Sequence, residues 1–167
     1  MTELACAPSD APLLEAVLAP VLEPVPWAVR LGYAGLLPFI ALAVGMRFFP
    51  PEVQEFCVFA LAAYAATIAS FLGAIHWGLA MRNAQTVKTM NVTPFAWGVV
   101  PSLVAWFALL CSPVVALSAL GVLLWVCYAV DRVCYPKFQL QQWLPMRLRL
   151  TTVASMSCFY VAVAWVF

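Results

Sequence analysis

The sequence predicts an all-α integral membrane protein, a single bundle of five transmembrane helices with a cytoplasmic N-terminus and a periplasmic C-terminus. Three observations point there. Of the 167 residues, 66% are hydrophobic and only 9% charged, whereas soluble domains carry about 25% charged residues. The few charges fall in clusters separated by stretches of membrane length. The basic residues, finally, collect on one side of the bundle that those stretches define. A water-soluble fold of this composition would expose apolar patches that soluble monomers rarely tolerate. A net charge of +1 provides no basic face for a nucleic-acid partner. The expected partner is the lipid bilayer itself, together with other membrane proteins.

Residues 1–26 read as a cytoplasmic tail ahead of a transmembrane domain over 27–167. Glu3, Asp10 and Glu15 argue against a secretory signal peptide, which starts with a basic region and a continuous apolar one. Leu13, Leu14, Val17, Leu18, Val21 and Leu22 recur at helical spacing, with Asp10 as a cap and Pro20 as a stop. Two readings fit this segment: an amphipathic helix on the inner membrane surface, or a proline-rich lead-in.

The spans follow from the gaps between charges. Leu31–Met46 holds sixteen uncharged residues between Arg30 and Arg47, and Trp27, Phe48 and Phe49 extend it as interfacial anchors. Twenty-six follow between Glu55 and Arg82, forty-two from Thr89 to Val130, and eighteen from Leu150 to Phe167. A crossing takes about 20 residues at 1.5 Å each. The longest gap is therefore two crossings, split at Cys111-Ser112-Pro113, because proline starts a helix readily but cannot continue one. The expected spans are about 28–48, 56–81, 92–110, 113–130 and 149–167.

With five spans, Arg30, Arg82, Lys88, Arg132, Lys137, Arg147 and Arg149 share one side and Arg47 stands alone on the other. Seven against one is a strong positive-inside signal. It places the N-terminus in the cytoplasm and the C-terminus across a bacterial inner membrane.

His76 is the only histidine, and it lies inside a span. Ionisable groups there are costly and normally face the bundle interior. Its helical neighbours agree: Ala62, Ala65, Ala66, Ala69, Gly73, His76 and Ala80 share one face, with Tyr64, Ile68, Phe71, Ile75 and Leu79 opposite. Small residues let another backbone approach closely, so this face suits a neighbouring helix or self-association. His76 sits about one and a half turns from Arg82, at the end where Asp131 closes the fourth span and Arg147 opens the fifth. A cluster of the three can fix helix register, or handle a proton or ligand, since histidine titrates near neutral pH. A lone histidine without a second histidine, a cysteine pair or a nearby carboxylate is a thin metal or haem ligand set, so no metal or cofactor is expected. No GxSxG-type nucleophile motif is present, and no enzymatic constellation is read.

Other intramembrane features read as packing. Gly98 and Pro101 predict a kink in the third span, with Ser102 free to satisfy a released backbone group. Thr151, Thr152, Ser155 and Ser157 make the start of the fifth span polar and suited to interhelical hydrogen bonds. Six cysteines lack CxxC spacing, and Cys57 and Cys111 lie near the same interface, where either free thiols or a disulfide would be permitted.

Ser70-Phe71-Leu72-Gly73-Ala74-Ile75-His76-Trp77-Gly78 resembles the signature of a bacterial membrane family, domain of unknown function 3429, which also includes eukaryotic transmembrane protein 69. The resemblance continues through Pro101-Ser102-Leu103, Trp106, Asp131, Pro136 and Met146-Arg147 to Leu150-Thr151, covering roughly Val29 to Phe167, with Met146 where the family usually has leucine. It implies a small multi-spanning membrane protein and no particular reaction. It singles out His76, Trp77, Asp131 and Arg147. Two functions compete: a non-enzymatic scaffold, assembly factor or accessory subunit of a larger membrane complex, or a small proton-coupled carrier using His76. Five spans and no visible internal repeat weigh against the carrier.

Overall fold

The computed structural model describes residues 25–84 and 93–166. Those residues form helices joined by short turns, with no strand among them. The helices are α1 (Pro26–Ala34), α2 (Leu37–Phe48), α3 (Pro51–Ala84), α4 (Thr93–Leu109), α5 (Pro113–Cys134) and α6 (Leu144–Ala164). Taken together, α1 and α2 form the first of five rods, so the expected five-helix count fits. Pro26–Phe48, Pro51–Arg82 and Pro113–Phe138 are long and apolar enough to cross a bilayer, and Phe95–Leu109 is a shorter apolar helix. Hydrophobic side chains cover much of the outer surface, among them Leu103, Trp106 and Phe107 on α4. This is a membrane bundle. The amphipathic reading of residues 13–22 and most of the loop after Arg82 lie outside the described residues.

The first rod departs from the continuous helix expected over 28–48. It breaks at Gly35-Leu36 because Pro38, near the start of α2, has no N–H to give and its ring crowds the preceding turn. The break leaves the Gly35 carbonyl without a helical donor, and the Tyr64 hydroxyl of α3 supplies one at 2.9 Å. The Tyr64 ring also meets Phe39 edge-on, with centroids 5.1 Å apart. Tyr64→Phe keeps the ring and removes the donor. It should cost about 0.5–1.5 kcal/mol, toward the lower end in a membrane protein. Thermal unfolding in mild detergent measures this, and a melting temperature unchanged by the substitution would refute the assignment.

The second rod starts at Pro51 rather than residue 56, and is 34 residues long. Pro50 and Pro51 make the turn tight, and Glu52 sits in the first turn, where the helix dipole favours an anion. Gln54 folds back to donate to the carbonyls of Met46 and Phe49, at 3.2 and 2.8 Å, capping the end of α2. At about 51 Å, α3 is longer than a bilayer's hydrocarbon is thick, so it must tilt or protrude.

α3 is the central rod, touching α2, α4, α5 and α6. Its small-residue face is filled inside the chain: Ala62, Ala65, Ala66, Ala69, Gly73, His76 and Ala80 are all buried, while Phe71 on the opposite face is exposed. The face offered by the sequence for self-association therefore has its packing partner within the bundle. Gly73 and Gly98 make the closest crossing. A β-carbon on Gly73 would stand 2.5 Å from the Gly98 carbonyl oxygen, and one on Gly98 would collide with Trp77. Pro101 is buried beside this crossing, inside α4, which continues as helix through it. The α5–α6 pair closes the same way, with Gly121 lying under the Phe159 ring. Between the rods Phe39, Leu61, Leu117, Leu120, Leu124 and Val161 fill the middle of the bundle. Cys57 and Cys111 are both free, the first buried and the second exposed.

Candidate functional site

Three rods bring their polar residues together at one end of the bundle. α3 carries His76 there because its small-residue face turns inward. α5 carries Asp131 on its last turns, continuing to Cys134 where a break after Val130 was expected. A 3₁₀ turn over Tyr135–Phe138 then reverses the chain, ended by Gln139 in the left-handed region at φ 58°. α6 starts at Leu144, with Pro145 in its first turn, and so presents Arg147 inward.

The Asp131 carboxylate is the hub. One oxygen, Oδ2, accepts from Arg147 Nε at 2.8 Å and faces Arg147 Nη2 at 2.7 Å. The other, Oδ1, faces His76 Nε2 at 3.5 Å. Asp131 is 1% exposed and His76 3%. Burying a carboxylate is tolerable only when a cation and hydrogen bonds replace water, and Arg147 supplies both. On its other side, His76 Nδ1 stands 3.3 Å from the Leu72 carbonyl, one turn back along α3. Trp97 of α4 meets the imidazole edge-on and Tyr135 lies tilted beside it, each with centroids 6.5 Å away. The expected His76, Asp131 and Arg147 cluster is thus assembled in the structure.

Trp77 does not join it. It is 39% exposed, and its indole donates to the Phe95 carbonyl at 2.7 Å, with the Phe95 ring edge-on to its own at 5.6 Å. Adjacent residues on a helix point about 100° apart, so a residue beside an inward histidine looks elsewhere. Its role in the fold is to hold the start of α4 against α3.

Trp97, Tyr135 and Leu72 complete the site without having been anticipated from sequence. Spacing carries a signal for two of them: Leu72 and Tyr135 each stand four residues from a member of the cluster, hence on the same helical face. Trp97 comes from a different rod, and nothing local marks it. Both His76 Nε2 and Trp97 Nε1 are buried and lack an aligned hydrogen-bond partner. Chemically the arrangement can hold a proton between an imidazole nitrogen and a carboxylate oxygen, with a guanidinium balancing the carboxylate. Among the described residues no group of three histidine, cysteine or acidic side chains is placed to hold a metal ion.

The model of the family described as "Protein of unknown function (DUF3429)" matches residues 24–163. The chain belongs to the DUF3429 family. All of the clustered residues fall inside the matched region. Transmembrane protein 69 of Xenopus tropicalis is 42% identical over 88 residues, which are 50% of this chain and 32% of that protein. The chain therefore spans about a third of the length of this curated relative. No solved structure matches this DUF3429 chain.

The cluster sets a prediction for the histidine alone. His76→Ala removes a buried ring from between Leu72, Asp131, Trp97 and Tyr135, and should cost about 1–3 kcal/mol through the cavity and the lost contact to Oδ1. Thermal unfolding of the purified variant checks this; wild-type stability would mean that the ring is not packed as described.

Proposed function

We propose that this DUF3429 protein is a non-enzymatic component of a bacterial inner membrane, a scaffold, assembly factor or accessory subunit, and that its buried His76–Asp131–Arg147 cluster acts as a structural latch. One observation carries the reading. Asp131 joins α5 to α6 through Arg147 and faces α3 through His76, while Leu61, Leu117 and Leu120 pack the bundle away from that end. A latch needs closed charges and a dry core beside them. A solute path needs the opposite. The topology we favour puts the N-terminus in the cytoplasm and the C-terminus in the periplasm, supported by seven basic residues on one side of five rods against one on the other. The cluster then lies near the cytoplasmic surface. The apolar outer face of α4, with Leu103, Trp106 and Phe107 exposed, is the surface available to lipid or a larger assembly.

Purification from native membranes in mild detergent tests this. The reading expects stoichiometric recovery with a larger membrane complex. A second reading, a proton-coupled carrier, draws on His76 Nε2, which faces a carboxylate oxygen without an aligned hydrogen bond. A homogeneous preparation that moves protons or solute across liposomes, and stops with His76→Ala, would replace the first reading with the second.

A further inference from the structure

At the latch end of the bundle, positive charge outweighs negative. Arg30, Arg132, Lys137 and Arg149 are exposed there, and Asp131 is the only carboxylate among the described residues at that end. It is buried and already matched by Arg147. Glu52 and Glu55 stand in the first turns of α3, at the opposite end. Within the described residues, none of the four exposed cations has an acidic partner.

Two of these cations meet at one seam. Arg149 of α6 reaches across to α1 and donates from Nη1 to the Tyr33 hydroxyl at 3.3 Å. The phenolic oxygen is the acceptor in that bond, so its own hydrogen is left to give, and the guanidinium keeps further N–H groups. Arg30 lies one turn before Tyr33 on the same face of α1. Its guanidinium rests over the Trp27 ring, 5.0 Å from the centroid. Two guanidiniums beside one seam repel each other unless an anion joins them. Little else holds the seam together. None of the nine residues of α1 is buried, and the break at Gly35-Leu36 separates it from α2.

We infer that the α1–α6 seam binds the headgroup of an anionic phospholipid, its phosphate oxygens accepting from Arg149, Arg30 and the Tyr33 hydroxyl, so that the lipid ties α1 to the bundle. Location selects a lipid over a soluble anion. Trp27 and Leu31, on either side of Arg30, are 69% and 72% exposed on the apolar outer surface, and tryptophan sits at headgroup level. Charge selects a headgroup with net negative charge. The ammonium of a zwitterionic lipid would meet no free carboxylate among the described residues at this end, whereas an anionic headgroup meets matching cations. The topology decides which leaflet supplies the lipid, and binding does not depend on whether the chain is a scaffold or a carrier.

The test uses the full chain in maltoside micelles doped with phosphatidylglycerol. Phosphatidylcholine is the zwitterionic comparison, and glycerol phosphate supplies the same anion without hydrocarbon chains. The lipid-induced change in melting temperature is read within each variant, so differences in basal stability cancel. Phosphatidylglycerol should raise the melting temperature to a plateau. Arg149→Gln and Arg30→Gln should each raise the half-saturating mole fraction roughly fivefold. Arg132→Gln, which removes the same charge from α5 outside the seam, should leave it unchanged. An equal rise with phosphatidylcholine would overturn the proposal, as would no rise with phosphatidylglycerol or the same rise with glycerol phosphate. So would a loss with Arg132→Gln as large as that with Arg149→Gln.

Discussion

Arg147→Met should destabilise the bundle by about 2–4 kcal/mol, because it strands the Asp131 carboxylate in the interior. The Asp131 side chain is 2% exposed and the Arg147 side chain 11%, so water is poorly placed to replace the guanidinium. Breaking one partner of such a pair in a soluble protein costs about 3–5 kcal/mol. The range is set lower here because a helix released within a membrane finds other polar partners. Methionine keeps much of the arginine's length, so the loss reports charge and hydrogen bonding more than volume. The double substitution Asp131→Leu with Arg147→Met should recover more than half of the loss, since a buried ion pair exchanged for apolar groups is often neutral. Unfolding in mild detergent across the double-mutant cycle gives the coupling directly. Additive effects at the two positions would show that the pair is solvated and no latch.

The second large effect lies at the α3–α4 crossing. Gly73→Ala is expected to cost about 1–3 kcal/mol, as overpacking does in a dense interior. The new methyl would meet the Gly98 carbonyl oxygen at 2.5 Å and the Pro101 ring at 3.3 Å. The first is backbone and the second a proline ring tied to it, so neither can rotate aside, and Pro101 is itself buried. To accommodate the methyl, α4 must move off α3. That would pull Phe95 from the Trp77 indole and Trp97 from the edge of His76. Gly78, on the same helix, is the control: a β-carbon there meets nothing within 4 Å. Gly78→Ala should stabilise by up to about 1 kcal/mol through helix propensity alone. Opposite shifts in melting temperature for the two variants are the expected result. Equal shifts would mean that α4 does not cross at Gly73.

Much of this architecture is written in how the chain distributes charge. The uncharged gaps locate five rods because hydrocarbon excludes ions whatever the details of packing. His76, Asp131 and Arg147 could be grouped for a related reason: each sits at the same end of its rod, and an ionisable group there must look inward. The break at Gly35-Leu36 was readable too, since Pro38 stands in the middle of the first gap, but a hydropathy reading averages over it. Trp77 shows the limit of motif adjacency, which groups residues that a helix then separates by 100°. An apolar cavity of about 610 Å³ between α1, α2, α3, α5 and α6 was beyond reach for a different reason. Its wall runs from Ala28 to Ala154, drawing on five helices, and only their mutual placement makes a space of them.

The position of the latch along the chain bears on biogenesis. Asp131 and Arg147 are separated by sixteen positions, across one short connection, whereas His76 belongs to a rod two crossings earlier. Closing a short loop costs little chain entropy. The last two helices can therefore partition into lipid as a pre-neutralised hairpin, its acid and base already matched, before docking onto the rest. A nascent chain released before Arg147 would instead have to carry an uncompensated carboxylate at the foot of α5, the species that quality control should meet first.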